Sequence, residues 1–101
     1  MTEKVEDLTV TYKDGGIETV QELDKAILSK GGWATVLFRY REWVRGKEEY
    51  GPEKYTIRRY QKRNGEFRQQ SKFNISSRAQ AEALIAALQK WLDEESAPKN
   101  Q

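Results

Sequence analysis

Residues 54–72 read Lys54-Tyr-Thr-Ile-Arg-Arg-Tyr-Gln-Lys-Arg-Asn-Gly-Glu-Phe-Arg-Gln-Gln-Ser-Lys72, two alternating runs hinged on Asn64-Gly65. An Asn-Gly pair between β-branched and aromatic alternation is a strong short-range hairpin signal. Strands are expected over residues 55–61 and 66–75, and their register decides which side chains share a face. A two-residue Asn64-Gly65 loop pairs Arg63 with Glu66 and Ile57 with Lys72. Tyr55 and Ile57 then face away from Phe67, Phe73 and Ile75, which a one-sided core does not tolerate. A three-residue loop, with Gly65 left-handed and bulged, pairs Lys62 with Glu66, Tyr55 with Phe73 and Ile57 with Ser71. All five apolar residues then share one face, so this bulged register is the expectation. The other face collects Thr56, Arg58, Tyr60 and Lys62 opposite Lys72, Gln70, Arg68 and Glu66.

The hairpin is also electrically distinct. Lys54, Arg58, Arg59, Lys62, Arg63, Arg68 and Lys72 meet Glu66 alone, a local balance of +6 in a chain of net charge +2. Residues 1–30 balance to −3, residues 31–53 to zero and residues 73–101 to −1. Segregation of this kind is a local electrostatic footprint rather than a solubility device.

Upstream, residues 33–44 keep period two. Ala34, Val36, Phe38 and Tyr40 fall on a core face, and Trp33, Thr35, Leu37, Arg39, Arg41 and Trp43 on the other. Trp33, at the start of this strand, is expected to plug the end of the core. The charged segment 45–53, with Gly51-Pro52, reads as an exposed loop. A short strand is expected over residues 8–12, broken by Asp14-Gly15-Gly16. Thr19-Val-Gln-Glu22 has capping-box spacing, and Val20, Leu23, Ile27 and Leu28 follow at helical intervals. They predict a short helix over residues 19–30 that stops at Gly31-Gly32. Ser77-Arg-Ala-Gln80 is a second capping box, and Ala81, Leu84, Ile85, Leu88 and Leu92 then form a narrow helical stripe with Trp91 beside it.

At 101 residues the chain is read as a single α+β domain. The expected architecture is a four-stranded antiparallel curved sheet backed by a C-terminal amphipathic helix, with a short extra N-terminal helix. Residues 1–7 and 93–101 are expected as flexible tails. A core this small gains from a second subunit, and Trp91 at the edge of the stripe suits such an interface, so a homodimer is expected.

Absent residue types narrow the chemistry. The chain has neither Cys nor His, which removes disulfides, thiolate ligands, the usual zinc ligand and every His-dependent triad. It has no phosphate loop, no Gly-x-Gly-x-x-Gly and no nucleophile beside a base. Glu48-Glu49 and Glu94-Glu95 lie in a charged loop and a tail, where nothing desolvates them. No enzyme activity, cofactor or metal is expected. No apolar run approaches the ~18 residues of a membrane span and the N-terminus is not a signal peptide, so the expected location is cytoplasmic, with nucleoid association an option.

Single-stranded nucleic acid is held by cations along its phosphates and by aromatic rings under its bases, at about 1–3 kcal/mol per stacked base. The open sheet face offers Arg39, Arg41, Arg58, Lys62, Arg68 and Lys72 for phosphates, with Trp43 and Tyr60 as stacking candidates. Single-stranded RNA is an alternative ligand, because nothing in the chain senses a 2′-hydroxyl. An acidic protein partner is another, since the same face would dock it.

The run Lys54-Tyr-Thr-Ile-Arg-Arg-Tyr60, the hairpin after it, Lys72-Phe-Asn-Ile-Ser76 and an amphipathic helix resemble the positive-cofactor-four family of transcriptional coactivators, nearest its small bacterial members. The resemblance covers residues from about 32 to 92, including the Gly32-Trp33 strand start. It implies a curved four-stranded sheet backed by a helix, dimerising to form grooves for single-stranded DNA with little sequence preference, in transcription, replication or repair. By position it puts Lys54, Arg58, Tyr60 and Lys72 in the groove. Many members carry glycine directly after the lysine matched by Lys72, where this chain has Phe73. The resemblance also implies a strand just before Trp33, where the residues' own spacing predicts a helix.

Overall fold

The structure, a computed structural model, describes residues 4–96. It is α+β: six antiparallel strands, β1 (Tyr12–Asp14), β2 (Ile17–Ser29), β3 (Trp33–Val44), β4 (Glu49–Tyr50), β5 (Lys54–Arg63) and β6 (Glu66–Ile75), followed by helix α1 (Arg78–Ser96). The main sheet runs β1-β2-β3-β5-β6, and β4 folds back on β3 through Trp43↔Tyr50 and Val44↔Glu49. The segment expected as a plain loop over 45–53 therefore carries a short strand. Among the described residues no helix is long and apolar enough to cross a membrane.

The expected helix over residues 19–30 is instead β2, the longest strand. The difference has a physical cause. Two β-bulges leave Leu23 and Leu28 without cross-strand partners, between Glu22/Asp24 and Ile27/Ser29. Each bulge adds one residue to a period-two pattern, so apolar residues at 20, 23, 27 and 28 imitate helical spacing. Asp14 and Ile17 close the β1–β2 hairpin around Gly15 and Gly16, whose φ angles of 61° and 85° suit a tight primed turn.

The β5–β6 register also departs from expectation. Arg63 pairs with Glu66 across a two-residue Asn64-Gly65 turn, with φ of 53° and 82° at the two residues. The bulge lies in mid-strand, between Arg59↔Ser71 and Tyr60↔Gln69, where Gln70 is the extra residue. Tyr55 therefore opposes Ile75 and Ile57 opposes Phe73, while Phe67, opposite Lys62, lies on the other face. The requirement that all five apolar residues share a face fails because the arm face is also apolar and buried, and Phe67 packs against the core there.

One face, here the arm face, carries Ala34, Val36 and Phe38 at 0% exposure and Tyr40 at 8%. Register places Thr56, Arg58 and Tyr60 of β5 beside them. Residues 5–10 lie across this face, with Val5, Leu8 and Val10 buried against Tyr60 and the β3 residues. Lys25 fixes the arm by donating from Nζ to the carbonyl oxygens of Glu6 (2.8 Å) and Leu8. Thr9 donates to Glu22 at 2.5 Å. The Val5–Asp7 turn is thus part of the core boundary rather than a tail. Of the expected tails, residues 1–3 and 97–101 lie outside the described residues, and α1 runs past Leu92 to Ser96.

The opposite, helix face carries Leu37, Tyr55, Ile57, Phe73 and Ile75. Helix α1 starts as its capping box dictates, with the Gln80 amide N–H donating to Ser77 Oγ at 3.1 Å. Its contact with the sheet is slight. Ala81, Leu84 and Ala87 are half-buried, whereas Ile85, Leu88, Trp91 and Leu92 remain exposed. Between helix and sheet lies an apolar groove of about 700 Å³, lined among others by Leu28, Leu37, Tyr55, Ile57, Leu84 and Leu88.

Candidate nucleic-acid interface

The nine candidate residues do not share one open face. Arg39, Arg41, Trp43 and Arg68 lie on the helix face, and Lys54, Arg58, Tyr60, Lys62 and Lys72 on the arm face. The division follows from alternation along β3 and β5 together with the Gln70 bulge, which separates Arg68 from Lys72.

Most of the helix-face candidates are engaged within the chain. Arg41 donates from Nε to Gln21 at 2.7 Å and lies 4.1 Å over the Tyr50 ring. Trp43 meets Tyr50 edge-to-face at 5.1 Å, so both anchor β4. Arg39 pairs with Glu53 at 3.7 Å, and Arg68 with Glu66 at 3.7 Å.

On the arm face the sequence divides again. Lys54, at the far end of β5, binds the Glu42 carboxylate at 2.5 Å. That hydrogen bond holds its ammonium above the usual lysine range, against a smaller opposing effect of desolvation. Tyr60 is 5% exposed, beneath the arm. Burial pushes its phenol pKa up, and the nearby Arg58 charge partly offsets this. Neither expected stacking residue therefore presents an open ring.

Three candidates remain together. Arg58 and Lys72 are direct cross-strand partners, and Lys62 lies four residues along β5 on the same face. Arg58 is held in place by Gln69, whose Oε1 accepts from its guanidinium at 2.8 Å, and by Thr56 at 3.4 Å. Thr56 in turn donates to Asn74 at 2.7 Å. Lys62 lies 5.4 Å over Phe67. By alternation no carboxylate of β5 or β6 occupies this face, since Glu66 pairs with Arg63 on the other. Among the described residues none of the three cations has a carboxylate within 4 Å. The result is a positive strip with amide neighbours, suited to binding anionic oxygens.

One feature of the helix face escaped the sequence reading. Trp33, expected to plug the core, is 42% exposed, and the Arg59 guanidinium lies 4.3 Å over its ring. The two come together because Trp33 pairs with Gln61 and Thr35 with Arg59, a register the sequence does not display. Comparison of the chain with protein-family profiles, curated proteins and solved structures gives no match.

Proposed function

We propose that this chain binds single-stranded DNA with little sequence preference, through the Arg58–Lys62–Lys72 strip, in a transcription, replication or repair setting. The observation that carries the reading is the cross-strand pair Arg58↔Lys72. Like charges directly opposite each other weaken a sheet. Their placement, with no carboxylate on that face of either strand, is accounted for by an anionic ligand that follows the hairpin. The resemblance to the positive-cofactor-four family supports the same reading at Arg58 and Lys72.

A homodimer belongs to this proposal. Leu28, Phe73, Ile85, Leu88 and Trp91 are exposed on the helix and the strands beside it, an apolar surface that the chain itself leaves uncovered. A second copy, offering the same stripe across a twofold axis, covers the α1 stripe and its groove. Sedimentation of the wild type is expected to give a dimer that Leu88→Asp converts to monomer; a monomeric wild type at high concentration contradicts this part.

The test of the ligand is fluorescence anisotropy of labelled oligo-dT in competition with matched duplex DNA, matched RNA and an acidic peptide. Preferential displacement by unlabelled single-stranded DNA supports the proposal. Displacement by RNA alone, or by the acidic peptide alone, replaces it with the corresponding alternative.

A further inference from the structure

We infer that Trp33 is a base-stacking position, reached by a strand that leaves the Arg58–Lys62–Lys72 strip and turns around the end of the sheet. The inference rests on the single-stranded DNA reading above, and it supplies the aromatic contact that buried Tyr60 and engaged Trp43 do not.

Trp33 is the first residue of β3, and the β5–β6 hairpin runs past it to the Asn64-Gly65 turn. Lys62 sits beside it at the same end of the sheet, its amide N–H donating to Gly32 O at 2.8 Å. Lys62 faces the arm side and Trp33 the helix side, so the two flank one short edge of backbone. Trp33 pairs with Gln61, and Gln61 with Arg68, so a ring, an amide and a guanidinium lie in one row across three strands. Arg59 comes from the next row and covers part of the ring at 4.3 Å. Arg63 donates to Gln61 at 3.0 Å. Among the described residues neither Arg59 nor Arg63 has a carboxylate within 4 Å.

With the guanidinium in place, 42% of Trp33 remains exposed. An exposed indole at a strand start contributes little to a core, but a flat ring beside planar guanidinium groups is a surface on which any base stacks. The neighbouring arginines are available to the flanking phosphates. Because stacking uses the π-face that all bases share, the position adds affinity without sequence preference.

The experiment is an NMR titration of the intact protein with oligo-dT, following the indole N–H signals and the backbone amides of the strip. Trp33→Phe assigns the Trp33 signal, and Trp43 and Trp91 serve as internal references. The Trp33 indole is expected to shift and to saturate together with the amides of Arg58 and Lys72. Trp33→Ala is expected to weaken binding about 5- to 140-fold, and Trp33→Phe by less. Strip amides that shift while the Trp33 indole stays still, with Trp33→Phe binding as wild type, overturn the inference and leave the strip intact. Silence at all of these positions overturns the nucleic-acid reading itself.

Discussion

Tyr60 of β5 stands directly opposite Ala34 of β3, and the arm of residues 5–10 seals both from solvent. A side chain that alternation alone places on an open basic face is thereby converted into core. Burial raises the Tyr60 pKa above that of the unfolded phenol, so the folded state holds this proton more tightly. The associated stability is whole below about pH 10 and is lost as pH rises through the folded value. Wild-type urea midpoints are therefore expected to fall more steeply above pH 10 than those of Tyr60→Phe. Parallel profiles would mean that this phenol does not report on the arm.

The arm makes a second, simpler demand. Leu8 is buried in the same cluster as Phe38 and Tyr60. Truncating it leaves a cavity under residues with little freedom to collapse, so Leu8→Ala is expected to cost about 2–5 kcal/mol in equilibrium unfolding. A flexible tail would give no measurable change.

These two residues also show where sequence legibility ends. Strand β3 was readable because its period-two pattern is unbroken, and α1 because its capping box and stripe agree. The place of the hairpin tip was readable from the Asn64-Gly65 dipeptide, but its two-residue form was not. Strand β2 was not, since bulges at Leu23 and Leu28 imitate helical spacing. The hairpin faces were not, since the bulge sits at Gln70, where no glycine marks it. Leu8 and Val10 do alternate inward, as a strand over residues 8–12 implies, yet β1 begins only at Tyr12. That the arm would cross the sheet and cover Tyr60 is a tertiary fact that local pattern does not carry. Of the candidate positions, the common face of Arg58 and Lys62 was legible because alternation along β5 does not depend on the hairpin register; Lys72 joins them only through the Gln70 bulge, and neither that nor the Trp33–Arg59 contact was legible.

Turn geometry gives a paired comparison. Gly65 has φ of 82° with open space around its α-carbon, so Gly65→Ala is penalised by backbone conformation alone, by about 1–2 kcal/mol. Gly32 also has open space but no positive φ, so Gly32→Ala is expected to stay within about 0.5 kcal/mol of wild type. Equal effects of the two substitutions on thermal unfolding would contradict the turn assigned here.

The Arg58↔Lys72 pair predicts opposite changes in stability and binding. Lys72→Glu replaces a cross-strand repulsion with an attraction, which is expected to stabilise the free protein by up to about 1 kcal/mol. The same change puts a carboxylate in the strip and is expected to abolish oligo-dT binding. Loss of both stability and binding would show that Lys72 serves the fold rather than a ligand.

The most direct test of the Arg58–Lys62–Lys72 strip is the salt dependence of oligo-dT affinity for wild type and for Arg58→Gln/Lys72→Gln. Each phosphate contacted on a single strand contributes a slope of about −0.7 in log K against log salt, so the three strip cations contribute about −2. The double variant is expected to bind more weakly with a slope shallower by about 1.4, equally across base sequences. A salt-independent affinity, or a double variant that keeps the wild-type slope, would contradict the assignment of phosphate binding to this strip.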